Sequence, residues 1–179
     1  MAAATEFAAK QARVAAWLDE QHADAALLCA PATVAWLSCG GELHLGPGTS
    51  GFVMTAERAY LLCPAEDVDR TRQEEVRGLP VDVVAVLSLA VEALADRARG
   101  LLPETTRWRS DTFGLGLERD ASVDSLRRVL SPEDQERLVR LAHDAASAVE
   151  EVAAECYRGV SERDAAARLA AECVRRQMT

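Results

Sequence analysis

The sequence is poor in aromatic residues and has no excess of basic charge. Phe, Trp and Tyr make up only 4% of its 179 residues, although 49% are hydrophobic. The core must therefore rest mainly on Leu, Val and Ala, whose small side chains favour close helix packing. The formal net charge is −9. This charge argues against a nucleic-acid partner, because phosphates require a basic face, and against anionic membrane surfaces.

Long apolar runs and targeting signals are also lacking. No stretch approaches the roughly 20 apolar residues of a membrane span. Residues 1–17 have neither the basic start nor the apolar core of a signal peptide. We therefore expect a cytoplasmic protein with no membrane partner.

The chain has five cysteines but no Cys-x-x-Cys pair. Four of them lie within apolar runs: Cys29, Cys63, Cys156 and Cys173. We interpret these four as small buried hydrophobic residues in a reducing compartment. Cys39 differs because it precedes two glycines in a predicted loop. A small thiol enzyme that uses Cys39 and His44 stays open as an alternative, although no helix start or basic neighbour would favour the thiolate.

Residues 1–130 alternate short apolar runs with amphipathic stretches. Strands are predicted at 25–30, 51–55, 59–64 and 81–86, with one or two segments near 106–118. Helices are predicted at 7–21, 33–39, 65–77, 87–100 and 121–130. Thr33 is the predicted cap of the second helix. This order predicts an α/β fold, with a mixed sheet sandwiched by helices.

Residues 131–179 differ because they contain helix signals only. Ser131 and Pro132 open a long helix that is predicted to reach Tyr157, and Ser161 caps a second helix with Asp164 as its capping-box partner. One apolar stripe follows the long helix: Leu138, Leu141, Ala142, Ala145, Val149, Val152 and Cys156. We expect an α-helical hairpin that leaves apolar surface available for association.

Few residues offer catalytic or metal-binding chemistry. The three histidines, His22, His44 and His143, are not surrounded by the several convergent ligands that a metal site needs. The acidic runs 65–69 and 131–136 open predicted helices, where carboxylates are favoured by the helix dipole. No Gly-x-Ser-x-Gly or Gly-x-Gly-x-x-Gly motif occurs, and residues 113–118 fit a strand. We assign no catalytic and no metal-binding residue to this chain.

Several segments, taken in order, carry a family resemblance. Residues 13–41 predict a helix, a strand that ends in a small-Pro pair, and an aromatic-Leu-Ser-x-Gly element: Trp36, Leu37, Ser38 and Gly40. After the Ser-Pro start at residue 131 comes a Gly-x-Ser-Glu turn: Gly159, Val160, Ser161 and Glu162. This pattern resembles the creatinase and Xaa-Pro peptidase family, which includes prolidase and aminopeptidase P. Thr33 departs from it, since the family often has Asn there.

The resemblance implies a fold and an activity. Residues 1–130 would form the family's ribonuclease H-like N-terminal domain, and residues 131–179 the first two helices of a truncated pita-bread catalytic domain. Members of the family hydrolyse amide-type C–N bonds. Its peptidases use two divalent metal ions (Mn, Co or Zn), whose Asp, His and Glu ligands lie downstream of those helices. The chain alone is therefore expected to hold no cofactor and to be catalytically silent.

The resemblance also implies a role for residues 40–48. In the family, the corresponding loop of one subunit reaches the active site of its dimer partner, so Glu42, His44 and Leu45 are the candidate substrate-binding residues. The expected partners are a second copy or a chain that carries the catalytic domain, together with a peptide or small amide substrate. Two alternatives stay open. In the first, residues 40–48 form an ordinary solvated loop. In the second, the chain is a stand-alone interaction protein that binds a partner through its helical hairpin.

Overall fold

The protein is described here by a computed structural model that covers residues 2–39, 49–88 and 90–178. The chain forms two compact units, Met1–Val129 and Leu130–Thr179. No helix within the described ranges is long and apolar enough to cross a membrane.

The first unit is built on a mixed sheet. Its described strands are β1 (Ala25–Leu28), β2 (Gly51–Thr55), β3 (Ala59–Pro64), β4 (Asp82–Val86) and β5 (Trp108–Ser110). Its α-helices in the described ranges are α1 (Ala2–Glu20), α2 (Pro31–Leu37), α3 (Val68–Arg70) and α4 (Val91–Arg99). The strand order is β4-β3-β2-β1-β5. The pairs β1–β2 and β2–β3 are antiparallel, and β1–β5 and β3–β4 are parallel.

Helices cover both faces of this sheet, as the side chains of β1 show. Leu28 packs in one apolar cluster with Phe7 of α1. Leu27 points the other way and packs with Leu94 of α4. Because both faces are covered, all four residues of β1 are buried, and the strand reads as a continuous apolar run. The predicted α/β sandwich is confirmed.

The segment 65–77 was predicted as one polar helix, and this prediction is wrong. The chain instead makes a 3-10 turn (Ala65–Asp67), then α3, then a π-helical turn (Thr71–Glu75). The π-helical turn buries Glu75, whose carboxylate lies 3.1 Å from the Arg70 guanidinium and 3.3 Å from the Thr71 hydroxyl. The buried contacts of Thr71 and Glu75 therefore outweigh the solvated helix that the local sequence favours.

Other element boundaries also differ from the predictions. The first helix begins at Ala2 rather than at residue 7. Residues 121–130 form a 3-10 helix (Ala121–Arg127) rather than an α-helix. Residues 113–118 are a loop rather than a strand, because Gly114 and Gly116 have φ of +84° and +62°, outside the extended region.

Asp24 fixes the parallel pair β1–β5 at its amino-terminal end. One of its carboxylate oxygens accepts hydrogen bonds from the backbone N–H of Arg107 (2.8 Å) and from Nε of that residue (3.0 Å). The other oxygen lies 2.7 Å from the Arg107 guanidinium. Only three residues of β1 pair with β5. The bidentate contact between Asp24 and Arg107 therefore helps to orient the two strands.

The second unit is a helical hairpin of α5 (Pro132–Glu155) and α6 (Glu162–Arg175). Both predicted caps are confirmed. The Ser131 and Ser161 hydroxyls accept hydrogen bonds from the backbone N–H of Asp134 (3.0 Å) and Asp164 (3.1 Å). The long helix ends at Glu155, two residues before the predicted end.

The early end of α5 overturns part of the cysteine prediction. Cys156 lies beyond the last helical residue and is exposed, and Cys173 is only partly buried. The prediction that these two thiols are buried is therefore wrong, whereas Cys29 and Cys63 are buried as predicted.

Ion pairs and one small side chain join α5 to α6. The Arg176 guanidinium lies 2.5 Å from Glu151, and Arg168 lies 3.6 Å from Glu155. Ala148 is fully buried. The predicted apolar stripe remains largely accessible, with Leu138, Leu141 and Val149 about half exposed.

Asp24→Asn should weaken the first unit in a pH-dependent way. Hydrogen bonds from Arg107 hold the pKa of Asp24 at about 2, below its usual 3.8. The ionised carboxylate therefore stabilises the fold above pH 3.8, and this contribution is lost as the pH falls toward 2. We expect the urea midpoint of the variant to lie below that of the parent at neutral pH, with the difference shrinking in acid.

Tryptophan fluorescence measures this transition, because all three Trp residues lie in the first unit. Asp19→Asn is the matched control, since Asp19 is an exposed carboxylate on α1. A difference between Asp24→Asn and the parent that stays constant across this pH range would contradict the assigned role of Asp24.

Candidate functional site

The candidate substrate-binding residues Glu42, His44 and Leu45 lie outside the described residues, as does the pairing of Cys39 with His44. The described residues show what holds α2, the helix that precedes this segment. Two residues separate the end of α2 from segment 40–48, so the contacts that fix α2 are the ones described below.

A carboxylate from β5 holds the start of α2. Asp111 follows β5 directly and is buried. Its Oδ1 accepts hydrogen bonds from the backbone N–H of Cys29 (2.8 Å) and Ala30 (3.1 Å), and its Oδ2 accepts one from Ala30 (3.1 Å). The Thr112 hydroxyl donates to the same carboxylate at 2.9 Å.

Asp111 takes the place of the local cap that the sequence predicted. Ala30 is the residue at the start of the helix, and its side chain makes no capping bond. Thr33, the predicted cap, lies fully buried inside the helix. The prediction for Thr33 is therefore wrong. The backbone N–H groups ahead of α2 are satisfied by a residue about 80 positions away.

A lysine from α1 holds the other end of α2. Lys10 Nζ donates to the backbone carbonyl of Trp36 at 2.6 Å, and its ion pair with Glu6 Oε1 is also 2.6 Å long. The side chains of Lys10 and Glu6 are only 2% and 3% exposed. The ammonium also lies 5.5 Å from the centre of the Trp36 ring. A cation at this end complements the helix dipole, as the Asp111 carboxylate does at the start.

Asp111 and Lys10 together form a clamp on α2. The side chains of α2 itself contribute fewer hydrogen bonds than this clamp. Among the described residues, the buried Thr33 hydroxyl and Trp36 Nε1 have no hydrogen-bond partner. A buried polar group without a partner costs roughly 1–3 kcal/mol. The position of α2, which ends shortly before segment 40–48, therefore depends on Asp111 and Lys10 from outside the helix.

The thiols near this site are buried. Burial, followed by the nearby Asp111 charge, raises the pKa of Cys29 to about 12. A side chain at Gly51 would approach the Cys29 sulfur to 2.4 Å, so glycine is required beside it. Cys39 is only 9% exposed, and its thiol donates to the Leu37 carbonyl at 3.4 Å. Cys39, predicted to lie in a loop, is therefore in a buried turn.

The two described histidines lie in different units. His22 is exposed just after α1, and the His143 side chain is 80% exposed with Nδ1 3.8 Å from Asp144. Over residues 2–39, 49–88 and 90–178, no group of three or more His, Cys, Asp or Glu side chains is placed to hold a metal ion. These residues do not offer the ligand set of a two-metal centre, and no reaction step through a metal is assigned to them.

The resemblance noted in the sequence is borne out by comparison with known proteins. The family model of the creatinase/prolidase N-terminal domain matches residues 10–143. The chain belongs to this family. No curated protein sequence matches it.

Solved structures support the same fold for this creatinase/prolidase family member. An Xaa-Pro dipeptidase from Bacillus anthracis is 17% identical with a TM-score of 0.67, and the match covers 93% of this chain and 48% of that chain. A prolidase from Pyrococcus horikoshii is 16% identical with a TM-score of 0.68 and the same coverage. An X-Pro aminopeptidase from Thermotoga maritima is 16% identical with a TM-score of 0.66, covering 92% and 49%. The chain therefore spans about half the length of these structures.

Sequence reasoning missed both residues of the clamp. Asp111 gave no local signal, because it reaches the start of α2 only through the parallel pairing of β1 with β5. Lys10 did give one. It is the only lysine among the 20 Lys and Arg residues, so its choice at this position is a signal in itself.

Lys10→Met should destabilise the first unit by about 3–5 kcal/mol, because it leaves the Glu6 carboxylate buried without this cation. The double change Glu6→Gln with Lys10→Met should recover most of that loss. Urea unfolding followed by tryptophan fluorescence measures both variants. A single variant as stable as the double variant would show that the buried ion pair does not hold the end of α2.

Alkylation of the folded protein with iodoacetamide should modify Cys156 first and Cys173 more slowly. Cys29, Cys39 and Cys63 should react only after unfolding, because their thiols are buried. Peptide mass spectrometry over a time course gives the five rates, and a urea-unfolded sample serves as the control in which all five should react alike. If Cys39 reacted as fast as Cys156 in the folded protein, the thiol-enzyme alternative would be favoured.

Proposed function

We propose that this chain is the N-terminal part of a Xaa-Pro peptidase or creatinase-like hydrolase that cleaves amide-type C–N bonds. The observation that carries the proposal is the family match over residues 10–143. The fold likeness to enzymes named for Xaa-Pro substrates supports it, since that likeness extends over more than nine tenths of this chain.

The chain's own part in this function is to shape a substrate pocket in a dimer partner. Glu42, His44 and Leu45 would contact the substrate, which is a peptide with proline second or a small creatine-like amide. The clamp on α2 supports this role, because a loop that contacts substrate needs a rigid base. Asp111 and Lys10 supply such a base through buried charged contacts.

The metal centre belongs to the complete enzyme in this proposal. Two divalent ions, Mn, Co or Zn, would activate the attacking water. They would be held by residues other than the described ones, which do not form a metal-binding group. The partner of this chain is then a second copy or a chain that carries the catalytic domain, and the chain alone is catalytically silent.

A second candidate function is a non-catalytic interaction protein that binds a partner through α5 and α6. The accessible apolar side chains of this hairpin favour it. Val139 and Val174 are 70% and 63% exposed, and Leu138, Leu141 and Val149 are each about half exposed. A partner helix packed against α5 would remove this surface from water.

Intact mass spectrometry of the native protein from its source cells separates the two functions. A mass above 19.3 kDa by about 200 residues, the size of a further domain, fits the hydrolase. A native mass of 19.3 kDa, with a defined complex that contains another protein, fits the interaction protein.

Glu42→Gln and His44→Ala, introduced into the native enzyme, should each lower kcat/KM for Xaa-Pro dipeptides by about tenfold or more, because a lost hydrogen bond to a charged group removes about 1.5–3 kcal/mol. Bound metal should stay unchanged, since neither residue is proposed as a ligand. Steady-state kinetics and metal analysis on the same preparations measure both quantities.

Glu57→Gln is the matched control for Glu42→Gln, because Glu57 is an exposed carboxylate in the β2–β3 turn. It should leave kcat/KM unchanged. Equal effects of Glu42→Gln and Glu57→Gln would mean that segment 40–48 does not contact the substrate.

A further inference from the structure

A cleft opens at the carboxyl ends of the parallel strands β1 and β5. Its volume is about 380 Å³, within the range of small-molecule sites. The residues after β1 form one side, and the residues after β5 form the other. Crevices at this edge of an α/β sheet are a general location for ligands, because the loops that leave adjacent strands diverge there.

The cleft combines apolar walls with a single exposed cation. Pro31, Leu94 and Leu115 contribute apolar surface. Phe113 is 75% exposed, and the Arg119 guanidinium lies 4.4 Å from the centre of its ring. An exposed phenyl ring stacked with a guanidinium presents an apolar face and a positive charge side by side.

Glu118, Arg119 and Asp120 are three consecutive charged residues. Of these three, Arg119 alone has no ionic or capping partner in the described ranges. Glu118 pairs with Arg109 at 2.8 Å, and Asp120 accepts the backbone N–H of Ser122 at 2.8 Å. The Arg119 guanidinium has no such contact among the described residues, so its charge is available to an anion.

The backbone around Arg119 and Phe113 is held in place. Ser110 of β5 donates its N–H to the Glu118 carbonyl (2.9 Å) and accepts the N–H of Asp120 (2.8 Å), which fixes Arg119 between them. Arg99 donates to the carbonyls of Leu115 and Gly116 at 3.2 Å and 3.1 Å and so tethers the loop that carries Phe113. A preorganised site loses less entropy when a ligand binds.

The inner end of the cleft limits the charge of the ligand. The Asp111 carboxylate lines the cleft and already accepts hydrogen bonds from Cys29, Ala30 and Thr112. Its negative charge disfavours a dianion such as a phosphate monoester, and one guanidinium matches one carboxylate in bidentate geometry.

We propose that this cleft binds a small monoanionic carboxylate with an apolar body, its carboxylate on Arg119 and its apolar part against Phe113, Pro31 and Leu115. This proposal does not rest on the hydrolase function proposed above. It uses no residue of segment 40–48.

Titration of the full chain with phenylacetate, followed by amide NMR shifts, tests this site. Saturable shifts should appear at Thr112, Phe113, Gly114 and Gly116. The neutral isostere phenylacetamide should bind at least about tenfold more weakly, because it lacks the charge-assisted bond to Arg119. Arg119→Gln should remove this preference, whereas Phe113→Ala should weaken both probes to a similar extent.

Arg77→Gln is the control, because it removes an exposed guanidinium elsewhere in the first unit. It should leave both affinities unchanged, and an unaltered spectrum outside the cleft establishes that each variant is folded. Absence of saturable shifts, equal affinity for the two probes, or an undiminished preference in Arg119→Gln would each overturn the proposal. So would a dimer, seen in sedimentation, that Arg119→Gln abolishes, because a second copy would then occupy the cleft.

Discussion

The first unit depends on how it holds α2, a helix of seven residues. A helix this short is unstable alone, because few of its backbone groups are bonded within it. Here a buried anion, Asp111, binds the N–H groups at its start, and a buried cation, Lys10, binds a carbonyl near its end. Both charges are aligned with the helix dipole. Each comes from a different part of the chain, so the position of α2 depends on the placement of α1, β1 and β5.

Because Asp111 holds the start of α2, the position of α2 depends on the correct pairing of β5 with β1. Asp111 reaches the chain after β1 only if β5 lies beside β1 in the correct register, and that pairing is three residues long. Asp24 and Arg107 fix its amino-terminal end, and Asp111 itself bonds across its carboxyl end. Asp24 and Asp111 thus hold the two ends of the short parallel pair β1–β5, which backbone hydrogen bonds alone would hold weakly.

The sequence was sufficient where structure follows from local pattern. The apolar run of β1, the hairpin of β2 and β3, and the serine caps of α5 and α6 were predicted, because each depends on neighbouring residues. Long-range contacts were not predictable in this way. The segment 65–77 became a π-helical turn because Glu75 is buried with Arg70 and Thr71. Asp111 is distant from α2 in the sequence, so its contact with that helix was not predictable. Lys10 did carry a signal, because it is the single lysine.

One residue links the start of α2 to the cleft, and the two can still be separated. Asp111 binds the backbone before α2 and also lines the cleft, so a change at this position would disturb both. Arg119 and Phe113 lie on the cleft side alone, and Lys10 lies at the far end of α2. Loss of ligand binding through Arg119 would leave α2 clamped, and loss of the lysine contact would leave the cleft cation in place. The two proposed sites would therefore share Asp111 as a support but not their binding groups.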